Sequence, residues 1–211
     1  MGTRHLICVV SNEEYKVTQY GQWDGYPEGA GKVVLNFLRR DFVLDKFKKG
    51  LRNLYYNTPE QSKQEWMECG VDPGDDSGMV GLDIAERHKQ QYPQNSRDTG
   101  AKILEIIQNL DAPMGIEDSL AFAGDSLFCE WAYVIDLDKN TFEAYKGFNE
   151  YPLVVGERFS FLSPETSQDD GNYYPVRLIA TFDLRELPTV KKFLLIMSNV
   201  EYENEDVIAG S

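Results

Sequence analysis

Histidine and cysteine are scarce in this chain, with two of the first and three of the second among 211 residues. His5 and His88 lie far apart and Cys8, Cys69 and Cys129 are isolated, so no ligand spacing for structural zinc exists and no metal is expected. An odd, sparse set of cysteines is also a poor disulfide framework. Together with the absence of any Asn-x-Ser/Thr acceptor, it points to a reducing, cytoplasmic setting. Basic side chains are few as well. Lys and Arg number 21 against 35 Asp and Glu, giving a formal charge of −14 and a sequence pI near 4.6. Partners that depend on phosphate neutralisation, nucleic acid and anionic membrane among them, are therefore not expected. Long apolar runs are missing too. The stretch Phe193–Met197 falls far short of the roughly 20 residues that cross a bilayer. The apolar run in Met1–Val10 is too short for an export signal, and Leu6 stands where a myristoylation motif needs Ser or Thr.

What is present is enough apolar surface for a core, 42% of the residues, in a length that fits one domain. Thr3 to Val10 and Tyr15 to Tyr20 alternate around Ser11–Glu14 and read as a β-hairpin. Gly21–Gly31 carries four glycines and a proline and reads as an irregular loop. Val33, Val34, Phe37 and Leu38 then share a helical face, and Val43, Leu44, Phe47, Leu51 and Leu54 continue the period in a second helix that Asp41 can cap, slightly weakened by Gly50. Thr58-Pro59-Glu60-Gln61 is a capping box with proline at the first helical position, opening a helix that Gly70 ends. Residues 71–81 read as an acidic, mobile loop. A helix is expected over 82–91, and another after Asp98 as cap, with Ala101, Leu104, Ile107 and Leu110 toward the core.

The pattern then turns to β. Residues 127–137 read as a strong strand, Asp138–Asn140 as a turn, and Thr141–Tyr145 as the returning strand. Gly156–Leu162 and Tyr174–Leu184 read as further strands around a polar loop at 163–172. A short helix is expected at 189–197. The expected fold is a single α+β domain over residues 1–200, followed by an acidic, partly frayed tail at 201–211. Its mostly antiparallel sheet combines the N- and C-terminal hairpins, with the helical middle third packed on it.

Two blocks carry a family resemblance. Met1-Gly2-Thr3-Arg4 opening a strand, with Tyr20-Gly21-Gln22-Trp23-Asp24-Gly25-Tyr26-Pro27 after the hairpin, resembles a group of small bacterial and phage proteins, with fungal relatives, that begin MGTR and carry a WDGYP loop. Cys129–Leu137 is similar to the second block of that group. The blocks cover about a sixth of the chain. The resemblance implies membership of the group but supplies neither an activity nor catalytic residues.

The WDGYP loop concentrates site-like chemistry. Trp23 and Tyr26 offer flat apolar faces with polar handles, Asp24 can accept hydrogen bonds or act as a base, and Gly25 permits close approach of a ligand. A tight turn with Trp23 in the core and Asp24 bonded to the turn's own N–H groups explains the same residues. Gly25-x5-Gly31-Lys32 nearly matches a phosphate-binding loop, but the spacing is one too long and Val33 replaces the hydroxyl. Asp136-x-Asp138-x-Asn140 begins like a calcium loop and lacks its glycine and bidentate glutamate, so a hairpin turn suffices. His5 and Cys8 face opposite sides of their strand and cannot pair. Cys8 and Cys129 read as core residues. Glu130, if buried, needs a partner such as Arg4 or Arg177, as a core ion pair or as a poised carboxylate.

The leading expectation is a pocket for a small molecule or peptide at Trp23, Asp24, Gly25 and Tyr26, with Glu130 nearby and no cofactor. A second reading takes the first hairpin as similar in layout to that of N-terminal-nucleophile hydrolases, with Thr3 or Cys8 as nucleophile in amide hydrolysis. Removal of Met1 would expose Gly2 rather than Thr3, which opposes it. A third is a protein-interaction module. Lys32–Arg52 holds seven basic and two acidic residues, a local +5 that leaves −19 elsewhere, suited to an acidic partner or a second copy.

Overall fold

The computed structural model describes residues 2–74, 79–162 and 173–209. Strands β1 (His5–Ser11) and β2 (Glu14–Gly21) form the first hairpin. Asn12 and Glu13 both adopt left-handed backbone, the geometry that lets a two-residue turn follow the twist of its strands. The carboxylate of Asp138 accepts both of their N–H groups, at 2.9 and 2.8 Å. Strands β5 (Trp131–Asp136), β6 (Thr141–Lys146) and β7 (Arg177–Asp183) follow one another antiparallel, and β5 lies parallel to β1. The sheet order is β2-β1-β5-β6-β7, so the two ends of the chain share one sheet, as the alternation implied. A parallel pair cannot be closed by a hairpin, and the crossover between β1 and β5 is the helical middle third.

β1 is buried along its whole length, which is why Leu6–Val10 is continuously apolar. Ile7 and Val9 face one side with Tyr133, Ile135 and Phe142; Leu6, Cys8 and Val10 face the other with Ala132, Val134 and Tyr145. The first side is covered by α1 (Lys32–Asn36), α2 (Leu44–Arg52), α5 (Ile103–Gln108) and α6 (Val190–Ala209). On the second side Ala123, Cys129, Phe159 and Val176 pack from irregular segments. Helices α3 (Pro59–Glu68) and α4 (Leu82–Gln91) stand beside a small parallel pair, β3 (Leu54–Tyr56) with β4 (Met114–Ile116), that the sequence pattern did not disclose.

The capping box at Thr58 forms in both directions, and Gly70 ends α3 in a left-handed conformation. Other expectations are corrected. Asp41 does not cap α2; the first free N–H there, on Val43, donates to Gln108 Oε1 at 2.7 Å, a partner 65 positions away. Pro27–Gly31, expected as loop, is a widened helical turn leading into α1, and a second one at Phe37–Asp41 follows it. These wider turns change the angular step, so Leu35 is buried while Val33 is exposed. The strand expected from 127 starts at Trp131, because Phe128 and Cys129 donate their N–H groups to the Asp125 carbonyl in a turn.

Gly156–Leu162 is not a strand. Phe159 is fully buried against the sheet, and Arg158 beside it bonds Asp136 at 2.6 Å and Glu143 at 2.7 Å. The segment is held by side chains rather than by a ladder. The helix expected at 189–197 appears as α6, whose helical backbone continues to Ala209. The expected loop at 163–172, and residues 75–78 of the expected loop at 71–81, lie outside the described residues.

Candidate functional site

His5 begins β1 opposite Gly21 of β2, on the face that carries the helices. Its ring is enclosed by glycines from three parts of the chain. A Cβ at Gly21 would lie 2.3 Å from the imidazole Cε1, one at Gly100 2.7 Å from Nε2, and one at Gly25 2.8 Å from the His5 Cβ. At Gly21 and Gly100 any larger residue would occupy the space of the ring, and at Gly25 it would also meet the Thr3 carbonyl. His5 is 3% exposed, yet neither Nδ1 nor Nε2 has a hydrogen-bond partner of acceptable geometry. Burial pushes its pKa down to about 4, against smaller opposing effects of the Thr3 carbonyl and the Asp24 carboxylate, so the ring is neutral at physiological pH.

The WDGYP loop is fixed over this ring by its own backbone. Gly25 N–H donates to the Thr3 carbonyl at 2.9 Å, the Gly25 carbonyl accepts from Tyr133 Oη at 2.9 Å, and the Asp24 carbonyl accepts from Ala30 N–H at 2.7 Å. Asp24 takes the left-handed conformation, at φ 54°. Gln22 N–H donates to the Arg97 carbonyl at 2.9 Å, and Trp23 Nε1 donates to Asp98 Oδ1 at 2.9 Å. Asp98 also accepts from Lys89 Nζ at 2.8 Å, and this bond holds its carboxyl below the usual range. Asp98 therefore anchors Trp23 rather than capping the helix expected after it, which starts instead with the tight turn Gly100–Lys102.

Between the loop and residues 97–102 lies a cavity of about 370 Å³. Trp23, Ala30, Val33 and Ala101 supply its apolar walls, Asp24, Arg97, Asp98 and Lys102 its charges, and His5 its buried polar end. Of the residues expected at a site, Trp23 and Asp24 line this space. Tyr26 donates its hydroxyl to Asp24 Oδ1 at 3.1 Å, and Gly25 packs behind His5. Glu130 does not join the lining; its Oε1 accepts the Arg4 backbone N–H at 3.2 Å, while the Arg4 guanidinium sits 4.4 Å above the Phe128 ring. His5, Arg97 and Lys102 were not anticipated, because the glycines that make room for His5 are local features only of the folded chain.

A second cavity, of about 470 Å³, adjoins the first through Arg97 and Asp98. In its wall His88 stacks on Trp66, with ring centroids 3.7 Å apart and planes 6° from parallel. Burial lowers the His88 pKa against the opposing charge of Glu65, whose carboxylate stands 3.8 Å from Nε2. Asn57 and Asn95 each donate to that carboxylate at 2.8 Å. His5 thus borders the first space and His88 the second.

Cys8 and Cys129 are fully buried, with thiols pushed well above the usual range by desolvation. Asp136 Oδ1 accepts the N–H groups of Asp138 and Lys139, which is the hairpin turn expected there. Among the described residues no group of three or more His, Cys, Asp or Glu side chains is placed to hold a metal ion, and no helix is long and apolar enough to cross a membrane. The chain matches no family model, no curated protein and no solved structure.

Proposed function

We propose that the protein binds a small molecule in the cavity beneath the WDGYP loop, with Trp23 as the contact face and His5 as the directional polar group. The observation that carries this is His5 itself: a nearly fully buried imidazole bordering a cavity, neither of whose nitrogens makes a hydrogen bond of acceptable geometry. An unpaired buried polar group costs about 1–3 kcal/mol, a penalty that a ligand hydrogen bond relieves. The volume lies at the small end of the roughly 300–1,000 Å³ usual for ligand sites. Membership of the MGTR/WDGYP group belongs to the same reading: the hairpin block and the Cys129–Leu137 block, distant in sequence, sit side by side as β1 and β5. A cytoplasmic location is part of it too, supported by three buried, unbridged thiols. The test is a library of small polar aromatic and aliphatic compounds screened by two-dimensional NMR. Binders should move the His5 ring and Trp23 indole signals together; a library that leaves both unmoved removes the reading.

The amide-hydrolase reading gains no support from Cys8, which is fully buried and out of reach of a substrate. The interaction reading keeps one specific observation. Lys32, Arg39, Arg40 and Arg52 are exposed and make no ion pair among the described residues, and Val43 and Leu44 stand exposed beside them. An acidic partner fits that surface. Light scattering of a mixture with an acidic polypeptide, across salt concentrations, tests it through the screening it must show.

A further inference from the structure

We infer that the ligand of this cavity is a flat organic anion: an aromatic body bearing a single carboxylate-like group. The inference rests on the cavity reading above and adds the chemical class.

The charge state of the lining decides the sign. Of its two acids, Asp98 is paired with Lys89 and also holds Trp23, while Asp24 accepts only the neutral Tyr26 hydroxyl, so one acid faces two cations in the lining once the Lys89 pair is set aside. The side chains of its two cations, Arg97 and Lys102, make no hydrogen bond or ion pair among the described residues, although the Arg97 charge also acts on neighbouring Asp98. The unspent attraction is therefore for negative charge, in a protein whose overall charge is −14. The same two acids limit how much negative charge is tolerated, so a monoanion fits better than a polyphosphate.

The shape follows from Trp23. Its indole is 48% exposed, and the bond from Nε1 to Asp98 holds the ring in one orientation. A fixed aromatic face beside Ala30, Val33 and Ala101 offers stacking surface at little entropic cost, because the ring is ordered before binding.

The probes are 2-naphthoate, its neutral amide 2-naphthamide, and the cation 2-naphthylmethylamine, titrated calorimetrically and followed at the Trp23 indole and His5 signals. Naphthoate should bind about tenfold or more tightly than naphthamide, and the amine should be weakest. The double variant R97Q/K102Q, at exposed positions that leave the core untouched, should lower naphthoate affinity about tenfold at low salt and leave naphthamide unchanged. Equal affinity for acid and amide, preference for the amine, or indifference to R97Q/K102Q would overturn the anion class while leaving the cavity reading standing. Silence from all three probes overturns the class as well; the cavity reading itself falls only if the broad library is also silent at His5 and Trp23.

Discussion

Trp23 and Asp98, 75 positions apart, are joined by a 2.9 Å hydrogen bond from the indole Nε1 to the carboxylate Oδ1. The bond ties the loop after β2 to the segment that leads into α5, and it sets the mouth of the cavity. Asp98→Ala should free the indole while lowering global stability by no more than about 1 kcal/mol, because the bond is near the surface. Time-resolved anisotropy of Trp23, with Trp66 and Trp131 replaced by Phe, reads the release directly. Unchanged anisotropy would mean that the loop backbone alone holds the ring.

His5 should make stability depend on pH. A histidine whose pKa falls from 6.5 in the unfolded chain to about 4 in the fold takes its proton first in the unfolded state as pH drops. Its stabilising contribution is complete above pH 6.5 and is lost as pH falls toward 4, amounting to about 3 kcal/mol over that window. Denaturant unfolding of the protein and of His5→Asn at several pH values should show a steeper decline for the unaltered protein. Parallel curves would show that His5 does not carry it.

Gly50→Ala separates local propensity from packing. In an isolated helix the substitution stabilises by about 1 kcal/mol. Here a Cβ at Gly50 would lie 1.8 Å from the Ile107 carbonyl oxygen, where α2 and α5 touch. The helices must part, and the variant should lose about 1–3 kcal/mol or more by denaturant unfolding. A gain in stability would contradict the close contact.

Arg158 should be among the residues whose loss is most damaging. Its guanidinium pairs with Asp136 and Glu143, both buried, and these bonds hold the two carboxyls below their usual range despite the desolvation that opposes it. Arg158→Met removes the partner and leaves two buried carboxylates close together, for an expected loss of about 3–5 kcal/mol at neutral pH. The deficit should shrink in acid as the carboxyls take up protons. A deficit that does not change with pH would assign the effect to packing alone.

The three thiols should resist modification in the native protein, since Cys8, Cys69 and Cys129 are at most 1% exposed. A chromogenic disulfide reagent should report all three only in denaturant. Rapid reaction of one of them under native conditions would show that its segment opens readily.

Elements whose causes are local can be read from the residue pattern alone. The alternation of Thr3–Val10 and Tyr15–Tyr20, the capping box at Thr58 and the turn at Asp138–Asn140 each depend on neighbours within a few positions, and each formed where its pattern stood. So did the joining of the two β-rich ends in one sheet, because strands with two apolar faces must find partners. Trp23 and Asp24, which line the cavity, were legible as candidates for the same reason, being concentrated in one short loop. Contacts between distant residues set the rest. Asp41 and Asp98 are good helix caps by local chemistry, yet Gln108 takes the N–H group at Val43, and Trp23 and Lys89 take the Asp98 carboxylate. Gly156–Leu162 reads as a strand, but burying Phe159 and pairing Arg158 outweigh a ladder there. His5 became the polar centre of a cavity because Gly21, Gly25 and Gly100 converge around it. Convergence of that kind is a property of contacts between distant residues, and a one-dimensional pattern carries only the chemistry of each residue and its spacing from its neighbours.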